Sequence, residues 1–394
     1  MQIRRCPLRT DDAIGHHVGP RGRLRQILAM LITAISALAI APPPPTYPNL
    51  TDLFHQLDPR LPRGDYRIPS LVTSLNGTLL AFIAGRFHRT DITPNNIYLR
   101  RSMDAGKTWL PAQTVLTDPH NGTEYSGAPV VDPATGSIHY IFTANVFGHA
   151  CSGCAQHIMS TTDDGATWSV PKPLTLASGP ANSTWGTSLA SGIALTRGAY
   201  AGRLMVALRH DCGCGTLRAS FVVYSDDHGK SWTGGAEMLL LPKYGGGWTE
   251  AQVAELKNGS VLLTSRNFYA RSSGQGPRLF ARSDDGGATW AANWSAGSDL
   301  PGPYCEASIL GAPSQGKLYV VGPSGPGRGN LSVHISSDGG LTWPVSHVLY
   351  PKGAAYSDAS WTTAGGEGDK EAPALAFFFE RDNYNTAAFG KLAV

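Results

Sequence analysis

The stretch Ser283-Asp284-Asp285-Gly286-Gly287-Ala288-Thr289-Trp290 has four counterparts along the 394-residue chain. All five copies share the frame S/T-x-D-x-G-x-T/S-W, and the other four occupy residues 102–109, 161–168, 225–232 and 336–343. Their tryptophans are separated by 59, 64, 58 and 53 residues. A repeat at a nearly constant period of this length indicates an array of similar supersecondary units.

Each copy is predicted to be a hairpin turn. The Asp at the third position can accept backbone N–H groups and close the turn. The Gly at the fifth position permits a positive φ, and the Trp can bury a large flat side chain between neighbouring sheets. A strand-like run precedes each copy, and in Leu331-Ser332-Val333-His334-Ile335 apolar and polar residues alternate as in a half-buried strand. The repeat therefore indicates a fold and says little about chemistry.

The period of the repeat predicts a six-bladed β-propeller. At a mean spacing of about 58 residues, the region from Thr46 to Val394 holds close to six units, and each unit has the length of a four-stranded blade with long loops. Short apolar runs punctuated by Gly continue to the C terminus, and only residues 51–57 suggest a helical turn. We therefore expect an all-β fold in which residues 42–394 form a single propeller domain.

The first 41 residues are predicted to be a signal peptide. An apolar run of fifteen residues, 27–41, follows the arginines at positions 21, 23 and 25. This run is short for a membrane span and has the length of a signal-peptide core, with small residues that allow cleavage near 39–41. The alternative is an uncleaved signal anchor, because the segment ahead of the core is long. We expect a secreted protein without a stable membrane span.

The formal charge of the chain is +3 with His neutral. The first 45 residues contain six Arg and two Asp, so the remainder carries a charge of −1. A nearly neutral mature chain offers no electrostatic basis for binding nucleic acid.

Glycosylation sequons and cysteines agree with a secretory route. Seven N-x-S/T sequons begin at Asn49, Asn76, Asn121, Asn182, Asn258, Asn293 and Asn330. Five cysteines follow the leader, namely Cys151, Cys154, Cys212, Cys214 and Cys305. Disulfides are the default in a secreted chain, and the odd number leaves at least one thiol free. Zinc is the less favoured alternative, because the spacing to His157 and His210 is irregular. We expect no metal and no cofactor.

Several motifs outside the repeat give the chain a family resemblance. They are Tyr66-Arg67-Ile68-Pro69, Leu80-Ala81-Phe82 running to Arg86, the Glu250 segment and Ala355-Tyr356-Ser357-Asp358. Together with the five repeats, which that family calls Asp-boxes, they cover nearly everything after about Arg63. The chain resembles the exo-sialidases (neuraminidases) of the Asp-box, or BNR-repeat, superfamily. The resemblance implies a six-bladed propeller that hydrolyses terminal sialic acids from glycoproteins, gangliosides or oligosaccharides, with retention and without a metal.

The resemblance also implies a substrate-binding set of arginines. The family's arginine triad corresponds to Arg67, Arg266 and Arg328, and Arg86 corresponds to an additional arginine of the pocket. Sialic acid carries a carboxylate on its anomeric carbon, and guanidinium groups bind carboxylates bidentately while staying charged at any working pH. Glu380 corresponds to a supporting carboxylate that holds Arg67.

Three further residues correspond to the family's catalytic groups. Tyr356 matches the nucleophile, Glu250 its base, and Asp91 the general acid that protonates the leaving oxygen. Sialidases are an exception among glycosidases in using Tyr. A carboxylate nucleophile would be repelled by the carboxylate of the substrate, whereas a neutral phenol would not. Because a free phenol has a pKa near ~10, it needs a base to attack at neutral pH.

Some assignments remain open from the sequence. Arg271 competes with Arg266, and Glu255 competes with Glu250. A trans-sialidase, an intramolecular trans-sialidase and a non-catalytic sialoglycan-binding propeller are alternatives to hydrolysis. The linkage preference and the choice between N-acetyl and hydroxyl sialic acids are open as well.

Overall fold

Five hydrogen-bonded sheets and one short 3-10 helix, Gly198–Tyr200, make up the part of the chain that this computed structural model describes. The described residues are 47–394 except 62–63, 91–92, 118–122, 147–153, 180–184, 188, 211–218, 239–246, 268–277, 292–299, 301, 313, 326 and 363–372. They belong to one compact unit, Tyr47–Val394. Within these ranges, no helix is long and apolar enough to cross a membrane.

Several predicted features lie outside the described residues. They are the signal peptide, Asp91, Arg271, the sequons at Asn121, Asn182 and Asn293, and the side chains of Cys151, Cys154, Cys212 and Cys214.

Four of the sheets are antiparallel and local in sequence. The first contains β2 (Asp65–Thr73), β3 (Leu79–Arg86), β4 (Asn95–Ser102) and β5 (Gln113–Leu116). The second contains β6 (Thr123–Val131), β7 (Ile138–Val146), β8 (Cys154–Thr161) and β9 (Lys172–Pro173). The third contains β10 (Trp185–Thr187), β11 (Ile193–Ala194), β12 (Leu204–His210), β13 (Ala219–Ser225) and β14 (Thr233–Gly234). The fourth contains β15 (Trp248–Glu255), β16 (Val261–Asn267) and β17 (Leu279–Ser283).

The fifth sheet has seven strands in the order β1-β23-β22-β21-β20-β19-β18. These are β1 (Leu50–His55), β18 (Ser308–Ala312), β19 (Lys317–Pro323), β20 (Gly329–Ser336), β21 (Val345–Trp361), β22 (Ala374–Arg381) and β23 (Thr386–Ala393). The long strand β21 changes partner along its length. Its first part, up to Gly353, pairs with β20, and its second part, from Ala354, pairs with β22.

The helical turn predicted for residues 51–57 was wrong, because this segment contains strand β1. Leu50 pairs with Gly390 and His55 with Thr386, so β1 forms the outer strand beside β23. Leu53 and Phe54 are buried against the neighbouring sheet. Tertiary pairing with the open edge of β23 thus overrides the local preference of a short segment. The strand also ties the beginning of the described chain to its end.

The five repeats form the turns that the sequence predicted. In each turn the Asp accepts hydrogen bonds from the hydroxyl two residues earlier and from the backbone N–H and hydroxyl four residues later, as Asp338 does from Ser336 and Thr342. The other four turns repeat this pattern around Asp104, Asp163, Asp227 and Asp285. The fifth-position glycines have φ between 79°, at Gly165 and Gly229, and 91°, at Gly340.

Each turn packs against a neighbouring sheet, which for the first turn is the last sheet of the chain. The rings of Trp109 and Phe389 lie 5.0 Å apart edge to face, and Trp343 stacks on Phe280 at 5.7 Å. A Cβ at Gly106 would lie 2.4 Å from the ring of Phe389, so the close approach requires glycine. Apolar clusters fill the space between successive sheets in the same way. The result is an all-β fold with a propeller-like arrangement of sheets.

The strand register separates the turns from the other predicted motifs. In the first sheet, strand β3 has Leu79 at one end and Arg86 at the other. Leu79 pairs with Ser102, which begins a turn of the repeat, whereas Arg86 pairs with Asp65. The fourth sheet repeats this polarity, because Ser283 pairs with Val261 while Asn267 pairs with Trp248. The repeats therefore lie at one end of the sheets and the charged motifs at the other.

Candidate active site

Three of the predicted site residues lie where the strand register slips. The pairing shifts between Arg67 and Ser70 in β2, around Glu250 in β15, and around Tyr356 in β21. Such bulges re-aim side chains and are frequent beside active sites. Arg67 and Glu250 both lie inside their strands, because the pairing continues past each bulge. The bulges bring these residues, from three sheets, to the same end of the fold.

Tyr356, Glu250 and Arg266 form a buried hydrogen-bonded group. The phenol of Tyr356 donates to Oε1 of Glu250. Nη1 of Arg266 donates to Oε2 of Glu250 at 2.6 Å and to the Tyr356 hydroxyl at 2.7 Å. All three side chains are buried. A carboxylate thus stands where it can take the proton of the phenol.

Burial and charge act in opposite directions on this pair. Burial alone would raise the pKa of Glu250, but the guanidinium groups of Arg266 and Arg209 offset that penalty and lower the pKa below its ordinary value. Burial, followed by the neighbouring carboxylate of Glu250, raises the pKa of Tyr356 well above its ordinary value. The pair therefore consists of a neutral phenol and an ionised carboxylate near neutral pH.

Arg209 is a site residue that the sequence analysis missed. It lies near the end of β12, and its Nη1 is 3.8 Å from Oε1 of Glu250. Nothing in the local sequence marks this arginine, because it belongs to no motif and its proximity to Glu250 arises only from the packing of two sheets.

Glu380 joins two of the predicted site residues. Its side chain is fully buried, and its Oε1 accepts Nε of Arg67 at 2.7 Å and the backbone N–H of Ile68 at 2.8 Å. Its Oε2 accepts the backbone N–H of Tyr356 at 3.3 Å. Ile68 has φ of 63°, which is costly for a β-branched residue and is held by this hydrogen bond. Glu380 therefore fixes Arg67 and the backbone of Tyr356 together.

Arg328 contacts two tyrosines that were not predicted. Its Nη1 donates to the hydroxyl of Tyr384 at 3.0 Å and its Nη2 to the backbone carbonyl of Tyr304 at 3.4 Å. The ring of Tyr304 stacks on the Arg266 guanidinium, with its centroid 3.4 Å from Cζ. Cζ of Arg328 lies 5.3 Å from the centroid of the Tyr356 ring. Cζ of Arg67 lies 5.6 Å from the same centroid, so all three predicted triad arginines lie close to the Tyr356 side chain.

The remaining predicted residues are Arg86, Asp91 and Glu255. Arg86 is buried at the end of β3, and its Nη1 donates to the carbonyl of Thr90 at 3.3 Å. Asp91, which follows Thr90 in the chain, is outside the described residues. Glu255, the competitor of Glu250, accepts the backbone N–H groups of Thr196 and Arg197 at the other end of β15. The geometry therefore separates Glu255 from Tyr356 and favours Glu250.

Two further buried carboxyl groups lie near Tyr356. Asp358 follows it by two residues in the chain, and Glu306 contacts its neighbour Ser357. Asp358 accepts the backbone N–H of Leu71 at 2.9 Å and that of Ser191 at 3.0 Å, and burial raises its pKa to about 6. Glu306 accepts the backbone N–H of Ser357 at 3.0 Å, and burial raises its pKa well above the ordinary value. These groups hold the strand that carries Tyr356 to its neighbours.

The described part of the chain contains no group of three or more His, Cys, Asp or Glu side chains arranged to hold a metal ion. Cys305 is buried and free, as expected for at least one thiol, and burial raises its pKa to about 12.

The site combines a cationic surface with a proton-transfer pair. Arg328 donates hydrogen bonds to a phenol and to a backbone carbonyl, both of them neutral, so its positive charge remains available to an anion. The neighbouring Tyr356 and Glu250 can deliver an activated oxygen nucleophile. Together these groups suit a reaction at a carbon that lies next to an anionic substituent.

Comparisons with known proteins agree on a family. Residues 69–367 match the model of the BNR repeat-like domain family. A sialidase of Micromonospora viridifaciens is 32% identical over 383 residues, which cover 90% of this chain and 57% of that protein. The chain thus spans little more than half the length of this curated relative.

Solved structures show the same fold. The Hadza microbial sialidase Hz136 has a TM-score of 0.70 and 23% identity, with 84% of this chain and 66% of that chain covered. The intramolecular trans-sialidase from Ruminococcus gnavus, in complex with oseltamivir carboxylate, also has a TM-score of 0.70. Its identity is 15%, and the match covers 87% of this chain and 97% of that chain.

Proposed function

The chain belongs to the BNR repeat-like domain family, and from this membership we propose that it is a secreted exo-sialidase that releases terminal sialic acids from glycans. The observation that carries the proposal is the buried contact of the Tyr356 phenol with Glu250, beside the guanidinium of Arg266. A binding module has no need of a carboxylate that is positioned to deprotonate a phenol.

In the proposed binding step, Arg67, Arg266 and Arg328 hold the substrate carboxylate. Three guanidinium groups provide parallel N–H donors for its two oxygens. Each arginine already has a defined orientation, Arg67 through Glu380, Arg266 through Glu250 and Arg328 through a tyrosine hydroxyl. Preorganised donors of this kind fix the anomeric carbon above the Tyr356 hydroxyl at little entropic cost.

In the proposed chemistry, the Tyr356 oxygen attacks the anomeric carbon while its proton passes to Glu250. The glycosidic bond breaks, and its oxygen leaves with a proton from Asp91, the role that the family resemblance gives to this residue. Water then attacks the same carbon with the help of Asp91, the bond to Tyr356 breaks, and the tyrosine regains its proton from Glu250. Two displacements at one carbon give net retention.

We also propose that the propeller has six blades. The change of partner along β21 divides the seven-stranded sheet into two four-stranded sets, which raises the number of blades from five to six. The five turns of the repeat then belong to five of the six blades. In the sixth blade the outer strand is β1, which comes from the start of the domain, so no hairpin joins it to β23.

Secretion and N-glycosylation are part of the same proposal. The apolar segment at residues 27–41 and the seven sequons support an extracellular location, where sialylated glycoproteins and glycolipids are accessible.

A fluorogenic sialoside, with and without lactose as an acceptor, tests the proposed function. We expect free sialic acid in both arms from the wild type. Activity should fall by at least about 10³-fold in Tyr356→Phe, because the nucleophile is lost. Tyr140→Phe, which changes a buried tyrosine between sheets, serves as a control and should keep full activity.

The other outcomes discriminate the alternatives. Sialyllactose as the main product in the acceptor arm would replace hydrolysis by transfer. Binding of the sialoside without turnover would replace the enzyme by a glycan-binding propeller.

A further inference from the structure

The turn between β22 and β23 is strained at three consecutive residues. Asp382, Asn383 and Tyr384 have φ angles of 52°, 57° and 66°. Asp and Asn tolerate the left-handed region, but a bulky aromatic residue rarely adopts it. Backbone strain persists only where the surroundings enforce it, and it concentrates at functional sites. The strain in this turn therefore points to a functional role for the side chain of Tyr384.

Tyr384 contacts two of the three arginines proposed to bind the carboxylate. Its ring faces the guanidinium of Arg67, with 4.2 Å between the ring centroid and Cζ. Its hydroxyl accepts Nη1 of Arg328 at 3.0 Å. The side chain is half-buried, and it lines a cavity of about 140 Å³ together with Arg328, Ala355 and Glu380. It therefore borders open space rather than a packed core.

These contacts bear on the electrostatic repulsion between Arg67 and Arg328. Arg67 and Arg328 carry like charges that must converge on one small anion, and before substrate arrives they repel each other. Glu380 offsets the charge of Arg67, whereas Arg328 donates to the hydroxyl of Tyr384 and the carbonyl of Tyr304, which are neutral. A tyrosine can satisfy both arginines at once, because its ring face attracts one cation and its hydroxyl accepts from the other.

We propose that Tyr384 is a positioning residue of the carboxylate subsite, which fixes the guanidinium planes of Arg67 and Arg328 relative to each other. This inference rests on the proposed sialidase function and names a determinant of its substrate binding. Tyr384 acts through the arginines and takes no part in bond making or breaking. Its loss therefore weakens binding of the carboxylate and leaves the chemical step intact.

The test measures KM and kcat for a fluorogenic sialoside, and Kd for 2-deoxy-2,3-dehydro-sialic acid and for its methyl ester. In Tyr384→Phe the ring is kept and the hydroxyl is lost, so we expect KM and the Kd of the acid to rise about tenfold, as for loss of a hydrogen bond to a charged group. The kcat should change by less than about twofold. The Kd of the ester should change little, because it offers no carboxylate to the arginines.

Tyr350→Phe is the matched control. The hydroxyl of Tyr350 donates to Oδ1 of Asp382 at 2.5 Å, so this variant perturbs the same turn without touching either arginine. We expect its thermal stability to fall and its KM to remain that of the wild type. Tyr384→Leu, which loses the ring as well, should raise KM further than Tyr384→Phe.

Two results would distinguish a failure of the Tyr384 assignment from a failure of the proposed function. An unchanged KM in Tyr384→Phe, or a KM increase of the same size in Tyr350→Phe, overturns the role of Tyr384 while the wild-type activity upholds the proposed function. Lack of turnover and of inhibitor binding by the folded wild type overturns both.

Discussion

In the proposed mechanism, Tyr356 is a poor nucleophile that its surroundings make useful. Burial raises the pKa of the phenol, which keeps the proton on oxygen and the side chain neutral as an anionic substrate approaches. The lowered pKa of Glu250 keeps that carboxylate ionised and able to accept the proton at neutral and mildly acidic pH. In the proposed mechanism, the proton moves only during attack, when positive charge develops on the sugar and draws electron density from the phenol oxygen.

A 3-fluoro sialyl fluoride tests this arrangement at the level of single residues. The 3-fluorine slows both steps while the leaving fluoride keeps the first one fast, so the protein mass should rise by one sugar, with the adduct mapped to Tyr356. Glu250→Gln should slow labelling by about 10²-fold or more, because the phenol loses its base. Glu255→Gln changes the same strand at its far end and should label at the wild-type rate. Labelling at another residue would refute the nucleophile assignment.

The sequence predicts some site residues and misses others for a physical reason. Arg67, Glu250 and Tyr356 lie in motifs whose residues neighbour them in the chain, so a local pattern can identify them. Tyr304 and Tyr384 lie in loops that become neighbours of the arginines only after separate sheets have packed. No local periodicity or spacing carries that information.

At the scale of elements, the repeat turns couple a local hydrogen-bond pattern to packing between sheets. The Asp closes the turn, and the glycine two residues later lets it approach the preceding sheet, as Gly287 does against Met205. Because both functions depend on residues within eight positions, the sequence alone predicts these turns correctly. It fails for β1, whose partner strand lies more than 300 residues away.

Asp285→Ala tests the stabilising role of the turn. The variant loses hydrogen bonds from Ser283 and Thr289, and we expect the melting temperature to fall by about 2–5 °C while the specific activity of the folded protein is retained. Asp284→Ala removes only a surface contact with Arg282 and should melt close to the wild type. A large loss of activity at unchanged stability in Asp285→Ala would contradict a purely structural role.

The same turns should make stability depend on pH in acid. Burial would raise the pKa of Asp285, but hydrogen bonds from Thr289 and Ser283 offset this and lower it. Hydrogen bonds from Thr167 lower the pKa of Asp163 to about 2. A depressed carboxyl pKa adds stability above the unfolded value near 3.8, and this stability is lost as the pH falls toward 2. The deficit of Asp285→Ala should therefore shrink as the pH falls below about 4 in urea unfolding.

At the scale of the whole molecule, the two ends of the described chain meet in one sheet. Strand β1 supplies the outer strand beside β23, and Phe54 packs with ring centroids 5.4 Å from Tyr66 and 6.2 Å from Phe378. Tyr66 immediately precedes Arg67 in β2, so the apolar cluster that β1 completes also supports a strand of the candidate active site. Closure of the fold and geometry of the site are thus linked through one cluster.

Removal of β1 is the sharpest test of this closure. A chain that begins at Asp58 lacks Leu53 and Phe54, whose burial contributes about 3–6 kcal/mol together, a large part of the total stability of a typical domain. It also exposes the edge of β23. We expect the melting temperature to fall by about 10 °C or more and aggregation to increase, relative to a control chain that begins at Thr46 and keeps the strand. Phe54→Ala in the longer chain should give an intermediate loss, because it leaves the backbone pairing in place. Equal melting temperatures for the two truncated chains would show that β1 is an accessory to the ring and that its sheets close without it.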